Sequence, residues 1–524
     1  MKQNTNKTNN ESKLHYGFWQ MFATIVGIVV GIGIFFKNGT VIGLAEGNEI
    51  IGIVSWVIGS VVIISLAYLY IEIYSAKKSD GTSGSITDWS KNFLGKKGGV
   101  AATSFWQYIY LPLTIFILAI FSTDMIVSLI DTTKISDMGT FFIYFSISIF
   151  LVALIPLLNS TFSKPSKIIQ TFGTVIKFIP IVVVIIGSIV LMITTPDAHS
   201  SITTGTSDKN PFLLLLAVLP AVFFAFDGFL AASQLQNQAK DNNTYKKALL
   251  FGLSFIAITY TIIALLTFFV SDDSMGYAIS DILWAISGGI DGIQITLLII
   301  IFISGVTSLS GFASSGNWNK YNIVENGLIS DKDGNYLEKN KEGLPQKSGR
   351  SLWKTSLAWT ISVFLIGFIV IVSSSFSTSD FMGAVDSLSN TYIIIAFMIY
   401  GSILIGGMVN RKTNKVEVKK VKMFIPISLI VTTFIYVISL YSFVTTIQAS
   451  VIDPSNLGGW FLFMVIAIWL VSSITNYYSV KWEKYPKEVL LLFFTDYRYF
   501  ASIPSTIYNY FNETYKKVFK KENK

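Results

Sequence analysis

Apolar residues fall in long runs separated by short polar stretches, and the length of the runs decides what kind of element they form. A helix needs about 20 apolar residues to cross a bilayer core. Twelve runs reach that length: 16–45, 49–76, 103–130, 139–159, 168–195, 212–238, 246–270, 290–316, 352–376, 381–409, 423–446 and 458–480. The polar stretches between them alternate in charge. Lys77, Lys78, Lys91, Lys96 and Lys97 follow the second run, Lys164 and Lys167 the fourth, and Lys240, Lys246 and Lys247 the sixth. Lysines again crowd the stretch after the eighth run, and Arg411, Lys412, Lys415, Lys419, Lys420 and Lys422 follow the tenth. The intervening stretches carry acids instead: Glu46 and Glu49, Asp131 and Asp137, Asp272 and Asp273, Asp380, Asp453. Basic loops mark the cytoplasmic side of a membrane. The alternation therefore predicts an even number of spans with both termini in the cytoplasm. One missed or surplus helix would invert it downstream.

Composition sharpens this reading. The chain of 524 residues is 52% hydrophobic and only 13% charged, against about 25% charged residues in soluble domains. The expected class is an all-α polytopic membrane protein. Its net charge of +8 sits in short loops, which favours membrane orientation over a nucleic-acid partner. Cysteine is absent, so thiol catalysis, disulfides and thiolate metal sites are excluded. The two histidines, His15 and His199, fall in a tail and a loop. No metal site, cofactor or catalytic constellation is expected, which disfavours a membrane-embedded transferase.

Four segments lie outside the spans. Residues 1–15 read as a polar cytoplasmic tail. The 79–99 stretch reads as a short interfacial helix between turns, and 317–351 as a cytoplasmic hairpin or flexible insert. The tail 481–524 mixes aromatics with lysines, and fits either the inner membrane surface or simple disorder.

Two spans are interrupted. The first contains VGIVVGIGIFF at 26–36, with Gly27, Gly31 and Gly33. Glycine lets backbone leave helical geometry at low steric cost. An opened backbone survives at membrane depth only inside protein or along a cavity. Gly27 and Gly31 also fit a small-residue face for close helix packing. The sixth run reads LLLLAVLPAVFFAFDGFLAAS. Pro220 removes a donor, and Asp227-Gly228 sets an acid and a helix breaker deep in the span. A mid-membrane Asp costs about 2.5–3.5 kcal/mol on insertion scales, so Asp227 faces either a ligand site or the amides of a half-helix that it caps. Breaks in the first and sixth spans suggest two five-helix halves of inverted topology with a ligand between them. On that reading 16–409 is the core, with repeats at about 16–195 and 212–409, and 410–480 adds two C-terminal helices.

Lys177, in QTFGTVIKFIP, is the other deep ion, roughly 15 Å into its helix at 1.5 Å per residue. It is either one half of a buried ion pair or a site that takes up and releases a proton.

These motifs resemble the amino acid–polyamine–organocation permeases of the LeuT-like superfamily. Gly31-Ile32-Gly33-Ile34-Phe35 is similar to that family's first-helix break, and 223–240, FFAFDGFLAASQLQNQAK, to its sixth-helix motif. YIEIYSAKKSDGTSGS at 70–85 resembles the close of its second helix, and NWNKYNIVENGL at 317–328 its eighth-helix exit, with Trp318 where the family usually has Arg. The resemblance implies a permease of the cell membrane that moves amino acids by alternating access, by proton coupling or exchange. A polyamine permease or a non-transporting amino-acid sensor shares the same motifs. It implies that amides around Gly31, Ile32, Gly33 and Ile34 take the substrate carboxylate. Carbonyls near Val29 and Phe226, with Asp227 beside Gly228, would take the ammonium, while Phe224 and Phe226 close over it. Lys177 would replace the sodium of sodium-coupled relatives. Oligomeric state is not legible.

Overall fold

The computed structural model describes residues 17–481 except 32, 77–84, 131–134, 136, 162–172, 174, 195–207, 231–239, 271–290, 326–337, 340–344, 347–360, 362, 370–380 and 455. The tails at 1–15 and 482–524 and most of the 317–351 insert thus lie outside the described residues.

The described chain is almost wholly helical. In order run α1 (Phe18–Val29), α2 (Gly33–Leu44), α3 (Glu49–Ile73), α4 (Ile86–Phe105), α5 (Leu111–Val127), α6 (Asp137–Thr161) and α7 (Phe178–Thr194). There follow α8 (Pro211–Phe226), α9 (Asn242–Val270), α10 (Asp291–Glu325), α11 (Phe381–Thr413), α12 (Phe424–Ile452) and α13 (Gly458–Lys481). Glu338–Lys339 pairs antiparallel with Pro345–Gln346, a minimal ladder inside the stretch read as a hairpin or insert. Among the described residues, eight helices are long and apolar enough to cross a membrane, and a ninth if α1 and α2, bent by 45°, form one span. Two shorter apolar helices, α7 and α8, fall within the predicted fifth and sixth runs. The predicted ninth run is described only in part, with residues 363–369 helical. The molecule is a polytopic α-helical membrane protein.

Local chemistry places the breaks. Gly95, at φ +74° and ψ −178°, occupies backbone that only glycine adopts readily. It separates a short helix after Ser85 from the long span that runs on to Val127. That piece starts with a capping box: Asp88 accepts from the Ser85 amide (2.7 Å) and hydroxyl (2.9 Å). Trp106–Tyr110 then forms a π-helical turn, a local widening that is frequent at functional sites.

Packing sorts the helices into two groups. One holds α1, α2, α3, α8 and α9: α3 lies on α8 and α9, α1 on α9, and α2 on α8. The other holds α5, α6 and α10. The most apolar stretch of the span Ile86–Val127 is largely buried and central, whereas the corresponding stretches of α12 and α13 are mostly not buried and lie at the periphery. Their outward side chains, such as Ile430, Leu440 and Phe463, are exposed and apolar, as lipid contact requires. Close approach depends on small residues. A Cβ at Gly406 of α11 would stand 2.5 Å from the Phe93 carbonyl oxygen, whereas one at Gly43 meets nothing within 4 Å.

Gly406→Val should therefore lower the thermal unfolding midpoint in detergent, by overpacking on the order of 1–3 kcal/mol. Gly43→Ala should leave it unchanged or slightly raised. Equal midpoints for the two variants would remove the close contact from the packing account.

Candidate functional site

The first break opens between Val29 and Gly33. Val30 caps α1 in extended backbone (φ −70°, ψ 99°), and α2 restarts at Gly33. Ile32 lies outside the described residues. A helix end leaves carbonyls without intrahelical partners, and here three side chains attend the opening. Lys177 donates to the Gly27 carbonyl (2.5 Å) and to Ser308 Oγ of α10 (2.7 Å). Tyr260 of α9 donates to the Val29 carbonyl at 3.4 Å. Gly31, one of the pair Gly27 and Gly31 read as a packing face, and Gly33 both stand in close contact with other helices. A Cβ at Gly31 would lie 2.8 Å from Ser308 Oγ, and one at Gly33 3.2 Å from Ala225 Cα. Break and close approach coexist.

The second interruption follows Phe226. The helix continues through Pro220 and ends with Asp227 as its C-cap. Gly228 then takes φ +101°, and a Cβ there would stand 3.0 Å from Phe312 Cζ, so geometry and space both call for glycine. Tyr110 of the π-helical turn donates to Asp227 Oδ2 (2.5 Å), and Tyr400 of α11 approaches Oδ1 at 3.5 Å. Asp227 thus ends the first half-helix, and its side chain is held by tyrosines of two other helices. Residues 231–239, where the capping alternative expects a second half-helix, lie outside the described residues. The Tyr110 ring stacks on Trp106 with centroids 3.8 Å apart, which fixes the donor.

Both interruptions meet at one cavity. Val29, Gly31, Gly33, Phe224 and Asp227 line it, as does Ser308, the partner of Lys177. Ile34 and Phe226 are fully buried and, with Gly228, are not among the lining residues. Phe226 packs against Tyr260 (5.1 Å) and Trp56 (5.9 Å). Of the two phenylalanines expected to close over a substrate, only Phe224 faces the cavity.

Lys177 is buried, and no acid is bonded to it among the described residues; the ion-pair alternative to its proposed role finds no partner there. No group of three or more His, Cys, Asp or Glu gathers as a metal cluster among those residues either.

Sequence reasoning missed Tyr110, Tyr260 and Tyr400, because single tyrosines within apolar spans carry no pattern. It also missed Lys37, one turn beyond Gly33. Its side chain is fully buried and donates to Asp386 Oδ1 (2.6 Å), Ser389 Oγ (2.5 Å) and Asn390 Oδ1 (2.8 Å) of α11. Its ammonium also lies 4.6 Å from the Phe224 ring centroid, within cation–π range. The one available signal was a lysine inside an apolar run, at the distance of a helical turn from a break.

Two interrupted helices thus open onto one cavity within a bundle of membrane-spanning helices. A family model described as amino acid permease matches residues 16–472. The chain belongs to that family, which is part of the amino acid–polyamine–organocation superfamily. It is also 25% identical over 289 residues to a Mycoplasma pneumoniae (strain ATCC 29342 / M129 / Subtype 1) protein described only as uncharacterized. That match covers 48% of this chain and 50% of the relative, so the chain spans about half the length of the curated relative it matches.

Lys37→Met should destabilise the protein by stranding Asp386. Removing one partner of a fully buried pair costs about 3–5 kcal/mol, and Asp386, 22% exposed, should cost less. Adding Asp386→Leu should recover most of the loss in thermal midpoint. No recovery in the double variant would mean that Lys37 acts through Phe224 and the α11 amide and hydroxyl rather than through the acid.

Proposed function

We propose that this protein is a secondary active transporter that moves amino acids across the cell membrane by alternating access. Its architecture is twelve spans with both termini cytoplasmic: two inverted five-helix repeats and two further helices. The observation that carries this reading is the convergence of the α1/α2 break and the α8 terminus on one cavity. A half-helix N-terminus presents amides to an anion, and half-helix C-termini present carbonyls to a cation. The start of α2 would take the substrate carboxylate, and the ends of α1 and α8 its ammonium. The packing supports the repeat: α3 lies on α8 while α9 lies on α1, and α5 lies on α10. Two halves related by a two-fold axis make such reciprocal contacts.

Lys177 is assigned the coupling role. Its ammonium ties α1 to α10 through Gly27 and Ser308, and loss of the proton frees both helices to separate. Asp227 adds a negative charge to the cation end of the cavity, and its tyrosine donors hold that charge in place.

Uptake by purified protein in proteoliposomes tests the scheme. Amino acids should accumulate under an imposed pH gradient, and replacing sodium with choline should not matter. Lys177→Ala should lose gradient-driven accumulation and keep passive exchange. Collapse of wild-type uptake without sodium, or full accumulation by the variant, would remove Lys177 from coupling.

Asp227→Asn keeps the shape and an acceptor for Tyr110 but removes the charge. If the charge faces substrate, cationic substrates should lose affinity by about tenfold more than neutral ones, since charged hydrogen bonds contribute about 1.5–3 kcal/mol. Equal loss for both classes, measured by competition in the same assay, would leave Asp227 a purely structural anchor.

A further inference from the structure

The chain between α11 and α12 is a well-built strap, and its construction goes beyond what topology requires. Residues 414–422 carry no helix, yet partners fix their backbone along its length. The Val416 amide donates to Asn410 Oδ1 (2.8 Å), and Asn410 Nδ2 donates back to the Val416 carbonyl (2.8 Å). The Lys419 amide donates to Ser75 Oγ (2.6 Å) and the Val421 amide to Glu72 Oε2 (2.7 Å). Tyr68 donates to the Lys422 carbonyl (2.9 Å). Glu72 is buried and receives Arg411 through both Nε and Nη2, so its charge is spent within the fold.

This anchoring sorts the side chains. Val416, Val418 and Val421 are half-buried, whereas Lys412, Lys415, Lys419, Lys420 and Lys422 are exposed. Glu417 is the only acid between Arg411 and Lys422. Lys419 also stands near enough to Lys246 of α9 for the two to repel each other. The fold therefore spends backbone hydrogen bonds to hold like charges together, at a place flanked on both sides by membrane-spanning helices. An anion would relieve that repulsion. The anions necessarily at hand where two spans leave the bilayer are lipid headgroups.

We propose that the strap 412–422, with Lys246, is a docking surface for the phosphate groups of anionic phospholipids. Clusters of four to eight basic residues next to a membrane span suit that role, at about 1 kcal/mol per residue. Basic loops arise from orientation alone, but orientation does not require a fixed backbone or paired lysines. Because the strap is bonded to the end of α3, which packs on α8, a lipid seated there also bears on a helix that lines the cavity.

The test uses the full chain, purified in detergent and given equal amounts of phosphatidylglycerol and phosphatidylcholine, with retained lipid counted by native mass spectrometry. Wild type should retain phosphatidylglycerol preferentially. The variant K412Q/K415Q/K419Q/K422Q should lose that preference by about tenfold or more. K96Q/K97Q/K240Q/K247Q, with the same change in net charge, should keep it. Equal loss in both variants, or no preference in wild type, overturns the proposal. Displacement of the lipid by soluble glycerol phosphate at matched concentration also overturns it, in favour of a free-anion site. Should the strap variant fail to fold, wild-type preference must still fall steeply between low and high salt, because headgroup attraction at a surface is screened. A preference indifferent to salt overturns the assignment.

Discussion

Lipid offers no hydrogen bond, so a helix that opens at membrane depth must find every partner within the protein. The opening between α1 and α2 obeys that constraint through side chains drawn from three other parts of the chain. Lys177 holds the Gly27 carbonyl, Tyr260 holds that of Val29, and Ser308 ties the lysine to α10. The α8 end is treated likewise, with Asp227 held by Tyr110 and Tyr400. The two backbone ends are held apart around the cavity by groups from other helices.

The same economy governs charge. Lys37 with Asp386 and Glu72 with Arg411 are ion pairs that pin α11 near opposite ends, roughly 37 Å apart at 1.5 Å per residue. The first joins α11 to the half-helix after the break, the second to the end of α3. Lys177 and Asp227 are buried without an opposite charge bonded to them among the described residues. Both attend the cavity, Asp227 directly and Lys177 through Ser308. The paired charges thus pin α11, and the two without a bonded opposite charge among the described residues stand at the cavity.

Much of the fold was legible in the chain because the bilayer imposes a length and a charge rule on any sequence that crosses it. Run length located the helices, and Gly31, Gly33, Asp227 and Gly228 located both breaks, since only a few residue types tolerate such backbone. Their lining of one cavity was legible only as an inference from the paired interruptions. Phe226 shows the limit of that inference. Its place in the motif resembled a gate, but a step of two residues along α8 takes Phe224 at the cavity to Phe226 against Trp56 and Tyr260.

The sequence alone determined that this is a polytopic helical membrane protein, with helices interrupted at two glycine-bearing points and a lysine sunk into its fifth apolar run. Those properties are local or periodic, so they survive in one dimension. Tertiary structure decided which groups satisfy the opened backbone. Tyr110 and Asp227 are separated by 117 residues, and Lys37 and Asp386 by 349, and a single tyrosine or lysine in an apolar run has no spacing that announces its partner. It also decided that the basic stretch after α11 is a fixed strap, because the acid that anchors it, Glu72, lies on a helix from the other end of the core.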